Sequence, residues 1–146
     1  MKQPGVLLVL VTFVAAVSFV VASEQYKQGR MATTTLTGLA EVGHFGDPDG
    51  MGIFKFKIDS DQNQFCYELT ISNIEAPAAA LVHSGTSDVE GASLITLQLP
   101  IRGSSKGCVT LPPDKIAELQ KNPSHYYVNI QNAEFPTGAI RGQLGR

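Results

Sequence analysis

The stretch YYVNIQNAEFPTGAIRGQL, residues 126–144, decides how this chain is read. Apolar and polar residues alternate through its first seven positions, Pro136 and Gly138 mark a turn, and IRGQL returns with the same period of two. A half-buried strand shows that period, because successive side chains point to opposite faces of a sheet. In the return strand Ile140 and Leu144 share one face, while Arg141 and Gln143 belong to the other.

The same signal recurs upstream. Phe54, Phe56 and Ile58 alternate with Lys55 and Lys57; after an SDQN turn, Phe65, Tyr67, Leu69 and Ile71 alternate with Cys66, Glu68 and Thr70. Together these two runs predict a hairpin. Residues 32–42 read as a first strand with Leu36, Leu39 and Val42 as inward positions, and GHFGDPDG (43–50) reads as a loop. Further strands are expected near residues 78–83 and 94–99 and around Cys108, with the loop SGTSDVEGA (84–92) between the first two. One helix is expected: Pro112 and Pro113 suit a first turn, Ile116 and Leu119 are three apart, and Pro123 ends it. Seven or eight strands with one short connecting helix predict an all-β, antiparallel sandwich or barrel.

The N-terminus reads as an export signal. Lys2 precedes an apolar run over residues 6–21, and Val20 and Ala22 place small residues before a cut at Ser23. A membrane anchor is the alternative, but spanning needs about 20 apolar residues and the polar SEQYKQGR follows at once. The expected organisation is a signal peptide at 1–22, a flexible lead at 23–31 and one domain at 32–146. Removing Lys2 takes the formal charge from −2 to −3, with no basic block, which argues against nucleic acid or an anionic membrane as a partner. Membrane contact is expected only during export. An even pair of cysteines, Cys66 and Cys108, suggests a disulfide in an exported chain, with two unpaired thiols as the alternative.

Several motifs in order resemble the CHRD domain family, first described as the repeated unit of chordin and found singly in secreted microbial proteins. They are LTGLAEV (36–42), FCYELTISNI (65–74) and the closing GCVTLPPDKIAELQKNPSHYYVNIQNAEFPTGAIRGQL (107–144). The resemblance implies an immunoglobulin-like or superoxide-dismutase-like sandwich and an extracytoplasmic place. Many microbial members carry His-Ile-His where this chain has Leu81-Val82-His83, and a further histidine where it has Gln131. Only His83 of that set remains, a weak metal candidate, since one imidazole does not make a site.

Among other candidates, His44 and His125 join His83 only if the fold brings them together. Asp47 and Asp49 read as turn formers rather than calcium ligands. Glu41 and Arg141 are expected to form a structural ion pair that fixes strand register through bidentate geometry, with Asn129 in the same polar network. No strained nucleophile elbow, phosphate loop, dinucleotide fingerprint or zinc spacing occurs. The chain is therefore expected to be no enzyme and to need no cofactor. Its expected role is a binding or structural module for an unknown protein or surface ligand, with a degenerate dismutase-like metal or redox domain as the alternative.

Overall fold

A computed structural model describes residues 31–145; the expected signal peptide and nearly all of the lead segment lie outside them. Eight strands form one antiparallel sheet: β1 (Ala32–Thr37), β2 (Met51–Asp59), β3 (Gln64–Ser72), β4 (Pro77–Ser84), β5 (Ser93–Thr96), β6 (Ser104–Thr110), β7 (Tyr126–Asn132) and β8 (Ile140–Gln143). Their spatial order is β5-β4-β7-β8-β1-β2-β3-β6. The sheet curls until its two edges approach, so the architecture is a nearly closed barrel rather than two stacked sheets. Across the remaining gap, the backbone N–H of Gln98, just past β5, donates to the Tyr67 hydroxyl of β3 at 2.8 Å.

The alternation seen in the sequence sets the inside of the barrel. β2 and β3 pair from Met51↔Ser72 to Asp59↔Gln64, which keeps the even positions of β2 and the odd positions of β3 on one face. Phe54, Phe56, Phe65 and Tyr67 stack there, with ring centroids 5.5–6.2 Å apart. Leu36, Val82, Val128, Ile130, Ile140 and Leu144 complete the core from the other strands. At the hairpin tip the Asp59 carboxylate accepts the backbone N–H groups of Asp61 and Gln62.

The helix α1 (Pro113–Lys121) forms as its spacing predicts and buries Ile116 and Leu119. Ser60 of the hairpin tip donates to Gln120 at 2.8 Å, which fixes the helix at that end of the barrel. The first strand is shorter than its sequence suggests. A 3-10 turn (Gly38–Ala40) replaces its last third, and Leu39, expected inward, is 85% exposed. The cause is the close approach of the next loop: the Gly46 N–H donates to the Gly38 carbonyl at 3.2 Å and lifts the chain off the sheet after Thr37.

Cys66 and Cys108 form a disulfide. They are direct partners in the β3–β6 register and lie on the outer face, opposite Phe65 and Tyr67. The bridge closes a 42-residue separation, worth about 4 kcal/mol in the chain-entropy account. Replacing both cysteines by alanine is expected to lower the melting temperature by at least about 10 °C in calorimetry, with the fold otherwise retained.

Candidate functional site

β7 is buried on both faces. Tyr126, Val128 and Ile130 face the core, and Tyr127 and Asn129 on the outer face are buried as well. What covers them is loop 84–92, which folds back across β4, β7 and β8. The register explains the meeting of side chains under it: His83↔Tyr127, Tyr127↔Gln143 and Asn129↔Arg141 are cross-strand pairs on this face.

Tyr127 is the centre of the set. The His83 ring stacks on it with centroids 4.9 Å apart and planes within 5°, and the Arg141 guanidinium carbon sits 3.4 Å from its centroid. Arg141 is only 2% exposed. Its Nη2 donates to the carbonyls of Thr86 at 2.7 Å and Val89 at 3.0 Å. The Gly91 N–H donates to the Tyr127 hydroxyl at 3.1 Å, while its carbonyl accepts from His83 Nδ1 at 2.9 Å. A carbonyl only accepts, so His83 carries its proton on Nδ1. Gln143 Nε2 ties the loop's root by donating to the carbonyls of Gly85, Ser124 and Tyr126.

Beside this stack lies Glu41, whose side chain is 3% exposed. Its two carboxylate oxygens accept from Asn129 Nδ2 at 2.9 and 3.1 Å. Gly138 packs so closely that a Cβ there would fall 2.5 Å from Asn129 Nδ2. Burial raises the Glu41 carboxyl to about 7; Arg141 opposes that rise and Glu90 adds to it. His44 Nε2 lies 3.9 Å from the Glu41 carboxylate and 3.9 Å from that of Glu90, and 3.0 Å from the Thr137 hydroxyl.

The structure thus brings Glu41, Arg141 and Asn129 together without a direct fork between the two charges. The carboxylate is held by Asn129 and the guanidinium by loop carbonyls, and Arg141 acts on Glu41 through space. His44 stands at the Glu41 edge and His83 in the stack, while His125 is exposed beyond the sheet. No group of three or more His, Cys, Asp or Glu side chains among the described residues is arranged to hold a metal ion. Asp47 accepts the backbone N–H groups of Asp49 and Gly50 and so forms its own turn, as a turn-former should. Tyr127, Gln143 and Glu90 were not among the expected site residues. The alternation through residues 126–132 puts Tyr127 on the face of Asn129, but only the fold of loop 84–92 gives that face a roof.

This arrangement sits on a chain whose length from 32 to 144 matches the sequence model of the CHRD domain. The chain belongs to the CHRD domain family. No curated protein and no solved structure matches it. For this CHRD domain the buried polar set is therefore read from its own geometry.

Two outcomes are expected. Glu41 has a folded-state pKa of about 7, above its unfolded value of 4.5, so the folded state holds its proton longer. Stability from this group is then full below about pH 4.5 and lost as pH rises through 7, by about 3 kcal/mol in all. Denaturant titrations of wild type and Glu41→Gln from pH 4 to 9 should diverge over that window, the variant being the more stable at pH 8. Arg141→Met should cost about 3 kcal/mol by leaving the Thr86 and Val89 carbonyls without their donor. Hydrogen exchange at Gly91 should accelerate in the same variant.

Proposed function

We propose that this CHRD domain acts outside the cytoplasm as a non-catalytic binding or structural module. Family membership, together with the Cys66–Cys108 disulfide, supports an oxidising, extracytoplasmic setting. No helix among the described residues is long and apolar enough to cross a membrane.

The observation that carries the reading is how the polar groups of the outer face are used. Arg141, His83 Nδ1, the Tyr127 hydroxyl and Gln143 all hold loop 84–92 in place. A catalytic set needs a group left free to meet substrate, and here the charged and aromatic members are buried under the loop they secure. The result is a rigid platform whose exposed part is residues 86–90, a loop fixed by the sheet beneath it. That segment carries Asp88 and Glu90 and no lysine or arginine, so it suits a protein or surface ligand rather than nucleic acid.

A metal or redox reading has one observation in its favour. His83 Nε2 is buried with no hydrogen-bond partner among the described residues, while Nδ1–H is fixed on a carbonyl, an orientation that also suits a metal-ligating imidazole. Calorimetric titration of the secreted, oxidised protein with copper, zinc and calcium separates the two. The module reading expects no saturable heat with any of the three. Stoichiometric binding that disappears in His83→Ala would replace it with the metal reading.

A further inference from the structure

The Cys66–Cys108 bond ties β3 to β6, and β6 is the last strand on its side of the sheet. The strand register gives β6 one neighbour, β3. The two sulfurs are not equally placed. Cys108 is exposed, whereas Cys66 is half-buried. On the outer face Cys66 has Cys108 opposite it on one side and Lys57 of β2 opposite it on the other. Gln64 also reaches it, with Oε1 3.9 Å from the Cys66 Sγ. Cys108 has Cys66 on one side and no strand on the other.

A thiolate displaces a disulfide sulfur by entering opposite the bond that breaks. The two cysteines are direct cross-strand partners, so their S–S bond runs across the strands. Entry at Cys66 therefore comes over β2, where Lys57 stands. Entry at Cys108 comes over the free edge of the sheet. The leaving groups differ in the same sense. Sulfur expelled from Cys66 departs as an anion beside Lys57, and a neighbouring ammonium stabilises a thiolate. That ammonium is not committed elsewhere: Lys55 and Lys106 both face Glu68, while Lys57 makes no ion pair among the described residues. Asp59, two positions along β2, directs its carboxylate to the backbone N–H groups of the hairpin tip.

We propose that this disulfide is a thiol-exchange site, at which an external low-molecular-weight thiol attacks Cys108 and releases Cys66. The entering thiolate sulfur bonds to Cys108 Sγ, the Cys66–Cys108 bond breaks, and its electron pair leaves on Cys66 Sγ beside Lys57. The external sulfur is oxidised and the Cys66 sulfur is reduced, so electrons balance within the step. The products are a mixed disulfide on the sheet edge and a free Cys66 thiolate placed to reverse the reaction. Exposed disulfides are the labile class, in contrast to those resistant to the glutathione pool. Once the bond opens, β6 keeps only its ladder with β3, so its amides should open before those of the inner strands.

The test treats the folded, oxidised protein with reduced glutathione, quenches with N-ethylmaleimide at intervals, and maps both cysteines by peptide mass spectrometry. Early samples should carry glutathione on Cys108 and maleimide on Cys66, in at least about tenfold excess over the reverse arrangement. Lys57→Met keeps the bulk and drops the charge; exchange should slow about threefold at low ionic strength, with Cys108 still the sulfur attacked. Lys57→Ala also clears the path over β2 and should raise the share of glutathione on Cys66. Lys57 is exposed, so both variants should melt near wild type. Equal labelling of the two cysteines overturns the assignment, as does a rate and site indifferent to both Lys57 changes. Exchange that appears only at urea concentrations that unfold the protein overturns it in favour of a purely structural bond.

Discussion

The contact between Arg141 and the Tyr127 ring is the constraint on which the outer half of this molecule depends. A guanidinium 2% exposed has to recover the free energy of leaving water, and it does so through the ring and two backbone carbonyls of loop 84–92. Those carbonyls in turn take their side-chain donor from the guanidinium, which holds the otherwise exposed segment 86–90 against the sheet. Cation, ring and loop are therefore one unit. Without it β7 would be an ordinary sheet strand, wet on one side; with it, the strand is enclosed on both.

Glu41 solves the related problem differently. Its carboxylate is buried yet takes its hydrogen bonds from a neutral amide, with Arg141 contributing only through space. In water the proton would leave near pH 4.5; here burial holds it until about 7. The Asn129 amide can serve both states. As placed, Nδ2 donates to the carboxylate while Oδ1 is buried with no partner among the described residues. Turned over, the same amide offers Oδ1 to a protonated acid. An acid–amide pair of this kind tolerates a change of charge that a direct ion pair would resist.

The barrel is legible in the sequence because period-two alternation survives in β2, β3 and β7. Phe54 and Phe56, Phe65 and Tyr67, Val128 and Ile130 each announce their face. The helix is equally plain, between its prolines. What misleads is the end of β1, where Leu39 continues the apolar pattern but the backbone has already turned away to meet Gly46. Such a contact spans two loops and leaves no periodic trace. The outer-face site is legible in its members and not in its assembly. Glu41, Asn129 and Arg141 read as a polar network, and a fork between the two charges is the natural guess. Their actual partners are a neutral amide and carbonyls of a loop more than fifty residues from Arg141 in sequence, Thr86 at a separation of 55 and Val89 at 52. Backbone acceptors are the same at every position, so composition cannot point to them.

The position of the disulfide carries a further consequence for proteolysis. The bond between Cys66 and Cys108 encloses all of β4, β5 and both of their following loops within one covalent ring. The exposed segment 86–90 lies inside that ring. A single cleavage there opens the ring but separates nothing: both new ends remain tethered through sulfur, and the flanking strands keep their neighbours in the sheet. Damage at this exposed loop would therefore leave a nicked molecule rather than two fragments.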